Sequence, residues 1–133
     1  MKHGDHFLSD LNCHLIFVTK YRRKVITPRV KENLVKIFQE ICETMKASIL
    51  ECNGEEDHIH LLIEYYPTIS ISNLVQRFKG VSSRIIRSLN YPEVSRKLWG
   101  CNLWSNGYFV ASCGGVTVEM LKKYVENQGS AEN

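Results

Sequence analysis

Two histidines, His58 and His60, are the residues whose type and spacing best suit metal chemistry in this sequence. They lie in the segment 57–64, where an apolar set alternates with more polar residues, as expected of a half-buried β-strand. The two-residue period puts both imidazoles on one face with Cβ atoms about 7 Å apart, so that they can converge on one divalent ion. An accidental pair of histidines on a half-exposed strand explains the pattern equally well. Other residues of the chain are needed to distinguish this interpretation from a metal site.

A tyrosine and a glutamine near the end of the chain supply the other groups that a reaction centre needs. Tyr124 and Gln128 stand four residues apart and share one face of a predicted helix over about residues 116–128, which follows a flexible Gly114-Gly115 joint and has Thr117 as its N-cap. Alone, such a pair is more often a partly buried anchor beside a surface residue. With the two histidines, it suggests a divalent cation held by two imidazoles and the glutamine oxygen, and a phenol oxygen that acts as nucleophile.

Positive charge is concentrated in clusters, although the net charge of the chain is only +3. Clustered lysines and arginines suit phosphate contacts, and a tyrosine among them can stack on an unpaired base. The residues predicted to bind DNA are Lys20, Tyr21, Arg22, Arg23, Lys24, Arg77, Lys79 and Arg84. A basic run is also typical of an ordinary solvated face, so clustering alone does not establish a nucleic-acid partner.

Length and composition are those of an ordinary globular protein. With 133 residues, 44% hydrophobic and 23% charged, the chain is predicted to form one domain over residues 1–133. Because it has no signal-like segment and no apolar run of about 18 residues, we expect a cytoplasmic protein without membrane contact. The five cysteines are scattered without a C-x-x-C pair and indicate neither a disulfide framework nor a zinc site.

The predicted elements follow the order strand, helix, strand, strand, helix, strand, and then the terminal helix. This is the α+β, ferredoxin-like (RRM-like) split βαβ fold, an antiparallel four-stranded sheet with two helices on one face. Strands are predicted over 11–19, 48–52, 58–64 and 108–113, and helices opening at Thr27-Pro28 and spanning 70–89. Residues 53–57 are predicted to be a turn, and 129–133 a disordered tail. We interpret His14, inside the first strand, as a satisfied interior histidine rather than a ligand.

Four segments, 17–22, 57–63, 104–112 and 124–128, carry a resemblance that runs through most of the chain. The His-hydrophobe-His element is weak alone, but it is specific in combination with the Trp…Gly-Tyr-Phe segment and the Tyr-x-x-x-Gln helix. In this order and at this length the sequence resembles the single-tyrosine HUH transposases, small enzymes that move bacterial and archaeal insertion sequences as single-stranded DNA. Every catalytic position of the family pattern is present.

The resemblance implies a role for each candidate residue. His58 and His60 correspond to the metal-binding pair, Gln128 to the third protein ligand and Tyr124 to the nucleophile. The implied cofactor is Mg²⁺ or Mn²⁺, which polarises and orients the scissile phosphate. Attack by the tyrosine is then expected to form a 5′-phosphotyrosyl intermediate and to release a 3′-OH.

The resemblance also implies the partners. These are single-stranded DNA with hairpin structure at the element ends, and a second copy of the chain in a homodimer whose active sites are assembled in trans. Three alternatives stay open: a domesticated HUH transposase associated with repeated extragenic palindromes or another HUH nickase, a non-catalytic RNA- or single-stranded-DNA-binding module, and a metal-binding structural protein. The non-catalytic module explains the basic clusters but gives the histidines, the tyrosine and the glutamine no joint role.

Overall fold

The computed structural model describes residues 11–98, 100, 102–112 and 118–131. The strands in these ranges are β1 (Leu11–Val18), β2 (Ala47–Glu55), β3 (His58–Tyr65) and β4 (Phe109–Ser112). The α-helices are α1 (Pro28–Met45), α2 (Ile71–Ser88), α3 (Pro92–Ser95) and α4 (Val118–Ala131), and a short 3-10 helix covers Lys20–Arg22. The one-turn helix α3 was not predicted from the sequence. None of these helices is apolar over enough residues to cross a membrane.

The four strands form one sheet in the order β2-β3-β1-β4, with every neighbouring pair antiparallel. This order confirms the predicted ferredoxin-like fold. The main core contains Phe17 of β1, Phe38 of α1 and Phe78 of α2, whose rings lie 5.2–6.2 Å apart. Alternation along β1 turns Ile16 and Val18 to the other face, where Val125 of α4 packs on them. The terminal helix therefore covers the sheet face opposite α1 and α2.

The first two helices begin at polar caps, as their sequences predict. The Thr27 hydroxyl accepts a hydrogen bond from Val30 N at 3.5 Å, and Pro28 occupies the first turn of α1, where its missing N–H costs little. The Ser70 hydroxyl accepts from Asn73 N at 3.2 Å at the start of α2. These caps fix where both helices begin.

The hairpin between β2 and β3 is tighter than the sequence suggested. Asn53, Gly54 and Glu55, predicted as part of a turn, belong to β2, and only Glu56 and Asp57 turn the chain. Gly54 has φ +147° and pairs with Ile59, and a Cβ there would collide with the His58 carbonyl oxygen. The glycine thus permits close approach of two strands and does not mark the turn itself. As a result, Asp57 stands directly before the strand that carries the histidines.

The end of the chain also differs from expectation. α4 continues through Ala131, so the disorder predicted from Gly129 is wrong for residues 129–131. A glycine in a helix costs about 1 kcal/mol relative to alanine, which weakens the helix without ending it. The predicted Gly114-Gly115 joint, the Thr117 cap, the N-terminal residues 1–10 and residues 132–133 lie outside the described residues.

Candidate active site

β3 presents His58 and His60 to the sheet face that α4 covers. Ile59, Leu61 and Ile63 are fully buried towards α1 and α2, whereas both histidines are half-buried on the other face, as the two-residue period predicts. Both imidazoles line a cavity of about 390 Å³. Its lining residues are Ile16, Arg22, Glu55, Asp57, His58, His60, Leu121, Lys122, Val125 and Glu126. The histidine pair thus opens into a space between the sheet and α4.

His58 is held by the aspartate that precedes it. Asp57 Oδ1 lies 2.9 Å from Nδ1 of His58, and Nε of Arg22 donates to Asp57 Oδ2 at 3.2 Å. Burial of Asp57 opposes ionisation, but the hydrogen bonds from His58 and Arg22 outweigh it and hold the pKa of this carboxyl below its ordinary value. Asp57 is therefore a charged acceptor for both neighbours at neutral pH.

His60 is held from the neighbouring strand. Its Nε2 lies 2.7 Å from Nδ1 of His14, and the two ring centroids are 4.9 Å apart. Burial lowers the pKa of His60, and the nearby His14 and His58 lower it further. A neutral ring at neutral pH follows, which is the form that binds metal ions.

Tyr124 and Gln128 lie on the side of α4 that faces β4. The Tyr124 ring packs on Phe109, with centroids 5.4 Å apart, and the Gln128 amide donates to the carbonyl oxygen of Asn106 at 2.7 Å. Neither residue is among those lining the histidine cavity. Phe109 is in register with Ile16, which is in register with His60, so two strand spacings, about 10 Å, separate β4 from the ligand strand. The two histidines line one cavity, and neither Tyr124 nor Gln128 lines it in this arrangement.

The donor set suits a divalent metal ion in part. Two imidazoles in one cavity are ligands that Mn²⁺ and related ions accept, and each ring is oriented by a partner, as metal-binding histidines commonly are. Within the described ranges, no group of three His, Cys, Asp or Glu side chains is arranged to hold an ion. A complete site therefore needs a further ligand such as the Gln128 oxygen, which would have to give up its place beside Asn106.

The first predicted DNA-binding cluster lies beside this cavity. Tyr21 is exposed, with the cationic groups of Lys20 and Arg23 at 5.4 and 5.8 Å from its ring centroid. Arg22 turns instead towards Asp57 and lines the histidine cavity. Lys24 is exposed next to Arg23. DNA contact by these residues stays a prediction, and Arg22 has a structural partner that the sequence did not suggest.

The second predicted cluster lies on α2, where its members have different surroundings. Nζ of Lys79 donates to the carbonyl oxygens of Ser105 and Gly107 at 2.8 and 2.7 Å, so its ammonium ties the 105–107 loop to the helix. Arg77 and Arg84 are exposed. Arg84 and Arg87 line a cavity of about 540 Å³ that also includes Lys79. The two exposed arginines remain the better candidates for phosphate contacts.

Sequence reasoning did not find the partner of His14 or the contacts of Asp57. A signal for Asp57 existed, because a carboxylate next to a metal-spaced histidine is placed to accept from its ring. His14 is half-buried on the same sheet face as His60, and only the β1–β3 register, which pairs His14 with Leu62, reveals that the two rings meet. That register is a tertiary property that a single sequence does not specify.

Comparison with known proteins is consistent with this architecture. The family model described as "Transposase IS200 like" matches residues 7–128. The chain is 33% identical to the ISDra2 transposase TnpA of Deinococcus radiodurans over 132 residues, covering 99% of this chain and 94% of that protein. It is 30% identical to the transposase for insertion sequence element IS200 of Salmonella typhimurium over 119 residues, covering 88% of this chain and 77% of the relative.

Solved structures agree with the fold. A 1.90 Å crystal structure of a Deinococcus radiodurans R1 protein assigned as a transposase superposes with a TM-score of 0.83 at 32% identity, covering 96% of this chain and 98% of that chain. A REP-associated tyrosine transposase bound to a REP hairpin has a TM-score of 0.55 at 10% identity, covering 95% of this chain and 69% of that chain, and supports the fold alone. On the extent of the family match and of its relatives, the chain belongs to the IS200-like transposase family.

Proposed function

We propose that this transposase cleaves and rejoins single-stranded DNA at insertion-sequence ends, with Tyr124 as nucleophile and a divalent cation, Mg²⁺ or Mn²⁺, at the histidine pair. Membership of the family establishes the coarser statement, a transposase. The proposed mechanism, with Tyr124 as nucleophile and a cation at the histidines, is supported by one observation: His58 and His60 share a cavity with α4, the helix that carries Tyr124. When bound, the cation supplies Lewis acidity that polarises the scissile phosphate.

The chain's own residues have defined tasks in this proposal. The Tyr124 oxygen attacks the phosphorus, loses its proton and forms the new P–O bond while the bond to the 3′ oxygen breaks, and that oxygen leaves as a 3′-OH. The 5′-phosphotyrosine keeps the energy of the phosphodiester. A 3′-OH from another DNA end can therefore attack it, release Tyr124 and restore a DNA linkage without ATP. His58, His60 and Gln128 are the proposed metal ligands.

The position of α4 supports a composite site. The Tyr124 ring packs on Phe109 of β4 and Gln128 is bonded to Asn106, and neither residue lines the histidine cavity of its own chain in the described arrangement. We infer a homodimer in which Tyr124 of one protomer serves the histidines of its partner. β4 forms an edge of the sheet, pairs only with β1 among the described strands, and exposes 44% of Val110. Such an edge is suited to strand pairing across a two-fold axis.

The proposed substrate is single-stranded DNA that folds into a hairpin near each element end. The exposed Tyr21 beside Lys20 and Arg23, and the exposed arginines of α2, are suited to stacking and phosphate contact. These groups do not by themselves distinguish one hairpin sequence from another.

A covalent-adduct assay tests the proposal. The protein is incubated with single-stranded DNA from the flanks of its own gene, with and without Mg²⁺, and resolved on a denaturing gel. We expect a slower protein–DNA band that needs both the cation and single-stranded DNA, and that disappears in His58→Ala and His60→Ala because too few ligands remain. A matched variant, Glu40→Gln, changes an exposed carboxylate of α1, on the other face of the sheet, and should keep the band. Absence of any adduct from wild-type protein that binds the DNA would contradict the proposal.

A further inference from the structure

The carboxylate of Asp57 lies inside the cavity of the histidine pair with both of its oxygens engaged. Asp57 is only 8% exposed, although it belongs to a two-residue turn, the kind of segment that usually faces solvent. Oδ1 lies 2.9 Å from His58 Nδ1, and Oδ2 accepts from Arg22 Nε at 3.2 Å. A buried carboxylate with two specific partners in a functional cavity indicates a role beyond surface charge.

The hydrogen bond between Asp57 and His58 determines which nitrogen of the His58 ring can bind a cation. A neutral imidazole has one N–H and one nitrogen lone pair. Because an ionised carboxylate can only accept, its contact with Nδ1 places the proton there and leaves the lone pair on Nε2. The same contact also fixes the rotation of the ring. Asp57 therefore presents Nε2 of His58 as the nitrogen able to bind a cation.

Arg22 reaches Asp57 from a backbone that is itself unusual. Tyr21 and Arg22 both adopt positive φ, +56° and +55°, in the left-handed region that costs non-glycine residues free energy. The segment is tied down at Thr19, which is fully buried, donates its hydroxyl to Arg23 O at 2.7 Å and donates its N–H to Asp57 O at 3.0 Å. The same residue thus links the backbones that carry Arg22 and Asp57, and fixes one relative to the other.

We propose that Arg22 and Asp57 are positioning residues that hold His58 in the Nδ1–H tautomer with Nε2 directed to the cation. The inference rests on the proposed function in so far as a cation binds the histidine pair. Asp57 acts through His58, because its Oδ1 contacts the His58 ring and its Oδ2 accepts from Arg22.

The first test is independent of any metal. In metal-free protein, long-range ¹H–¹⁵N correlation spectra report which ring nitrogen of His58 carries the proton. We expect the Nδ1–H form in wild type and in Glu40→Gln, which removes one exposed negative charge from α1. We expect Asp57→Ala to convert His58 to a mixture of tautomers. An Nε2–H tautomer in wild type, or no change in Asp57→Ala, would overturn the proposal.

The second test measures Mn²⁺ affinity by calorimetry without DNA. Asp57→Asn should weaken binding by about 10- to 100-fold, the usual cost of removing a partner that orients a ligand, while Glu40→Gln should change it little. Arg22→Gln, made at a side chain that is 40% exposed, keeps Asp57 in place and should weaken binding in the same direction but less. Unchanged affinity in both Asp57→Asn and Arg22→Gln would refute the positioning role. If wild type bound no Mn²⁺, the proposed metal site would fail, while the tautomer measurement would still decide how Asp57 orients His58.

Discussion

A hydrogen bond of 2.7 Å joins Nδ1 of His14 on β1 to Nε2 of His60 on β3. His14 is thus a satisfied histidine, as its place in a strand suggested, but its partner is one of the three proposed metal ligands. The bond holds the His60 ring from the strand next to its own, just as Asp57 holds the His58 ring from the preceding turn. In each of the two histidine ligands, one ring nitrogen is therefore hydrogen-bonded to another side chain of the protein.

Removing the His14 side chain should loosen the His60 ring. We expect His14→Ala to weaken Mn²⁺ binding by about 10- to 100-fold, measured by calorimetry on the folded protein. His14→Gln, whose amide oxygen can still accept from the ring N–H, should retain much of the affinity. Tighter binding in His14→Ala would show that His14 competes with the cation for His60 Nε2 and does not support it.

Substitution of Arg84 and of Lys79, both on α2, should affect different properties of the protein, DNA binding in the first case and stability in the second. Arg84→Gln removes an exposed charge, so we expect the salt dependence of binding to hairpin-bearing single-stranded DNA to lose about one unit of slope in log Kd against log salt. Lys79→Met removes the donor of two loop carbonyls, so we expect it to lower the free energy of unfolding by about 1–3 kcal/mol. Salt titrations and denaturant melts of both variants separate the effects. A salt slope for Arg84→Gln equal to that of wild type would exclude Arg84 as a phosphate contact.

An ion pair at the start of α1 should make stability depend on pH. Glu93 accepts from Nε and Nη2 of Arg29, both at 2.7 Å, and from the Thr27 hydroxyl at 2.8 Å. The hydrogen bond from Arg29 is the main cause that lowers the pKa of Glu93 to about 2 from an ordinary 4.5. The folded-state pKa of Glu93 is depressed. The ion pair therefore contributes to stability at pH values above the ordinary pKa of Glu93, and this contribution is lost as the pH falls towards the folded-state pKa.

Glu93→Gln should therefore have a lower melting temperature than wild type at neutral pH, and the difference should shrink between about pH 5 and pH 2. Thermal melts of both proteins across this range measure the effect. Since Arg29 is exposed, we expect a modest difference at neutral pH. A difference that stays constant across the range would show that ionisation of Glu93 does not contribute.

Much of the fold is encoded in short-range patterns. The two-residue alternation of β3 predicts which face carries the histidines, and the apolar spacing of α1 and α2 predicts their buried sides. Gly54 misled the turn prediction because a glycine that permits close strand approach has the same sequence appearance as one in a turn. The hairpin consequently turns at Glu56-Asp57, nearer the histidines.

The sequence does not predict those contacts of the candidate site that join residues far apart in the chain. The spacing of Tyr124 and Gln128 predicts a shared helix face but does not say which strand that face meets. In the structure, it meets β4 and the 105–107 loop. Likewise, no local pattern pairs His14 with His60, because that contact depends on the register between two strands.

Mixed dimers test whether sites are assembled between protomers. One chain carries Tyr124→Phe and the other carries His58→Ala and His60→Ala, and each is inactive alone in the proposal. If sites form in trans, a mixed dimer has one intact site, so we expect DNA cleavage to return on mixing. Two differently tagged chains purified together establish that mixed dimers form. If these mixed dimers stay inactive under conditions in which the wild type cleaves DNA, the result contradicts assembly in trans.

The identity of the residue linked to DNA tests the central claim most directly. After reaction with single-stranded DNA and Mg²⁺, the adduct is digested with nuclease and trypsin and analysed by mass spectrometry. Because trypsin cleaves after Lys123, the account predicts the 5′-phosphate on the peptide that begins with Tyr124, at Tyr124 itself, with no adduct in Tyr124→Phe. A 5′-phosphate on another residue, or an adduct that persists in Tyr124→Phe, would contradict it.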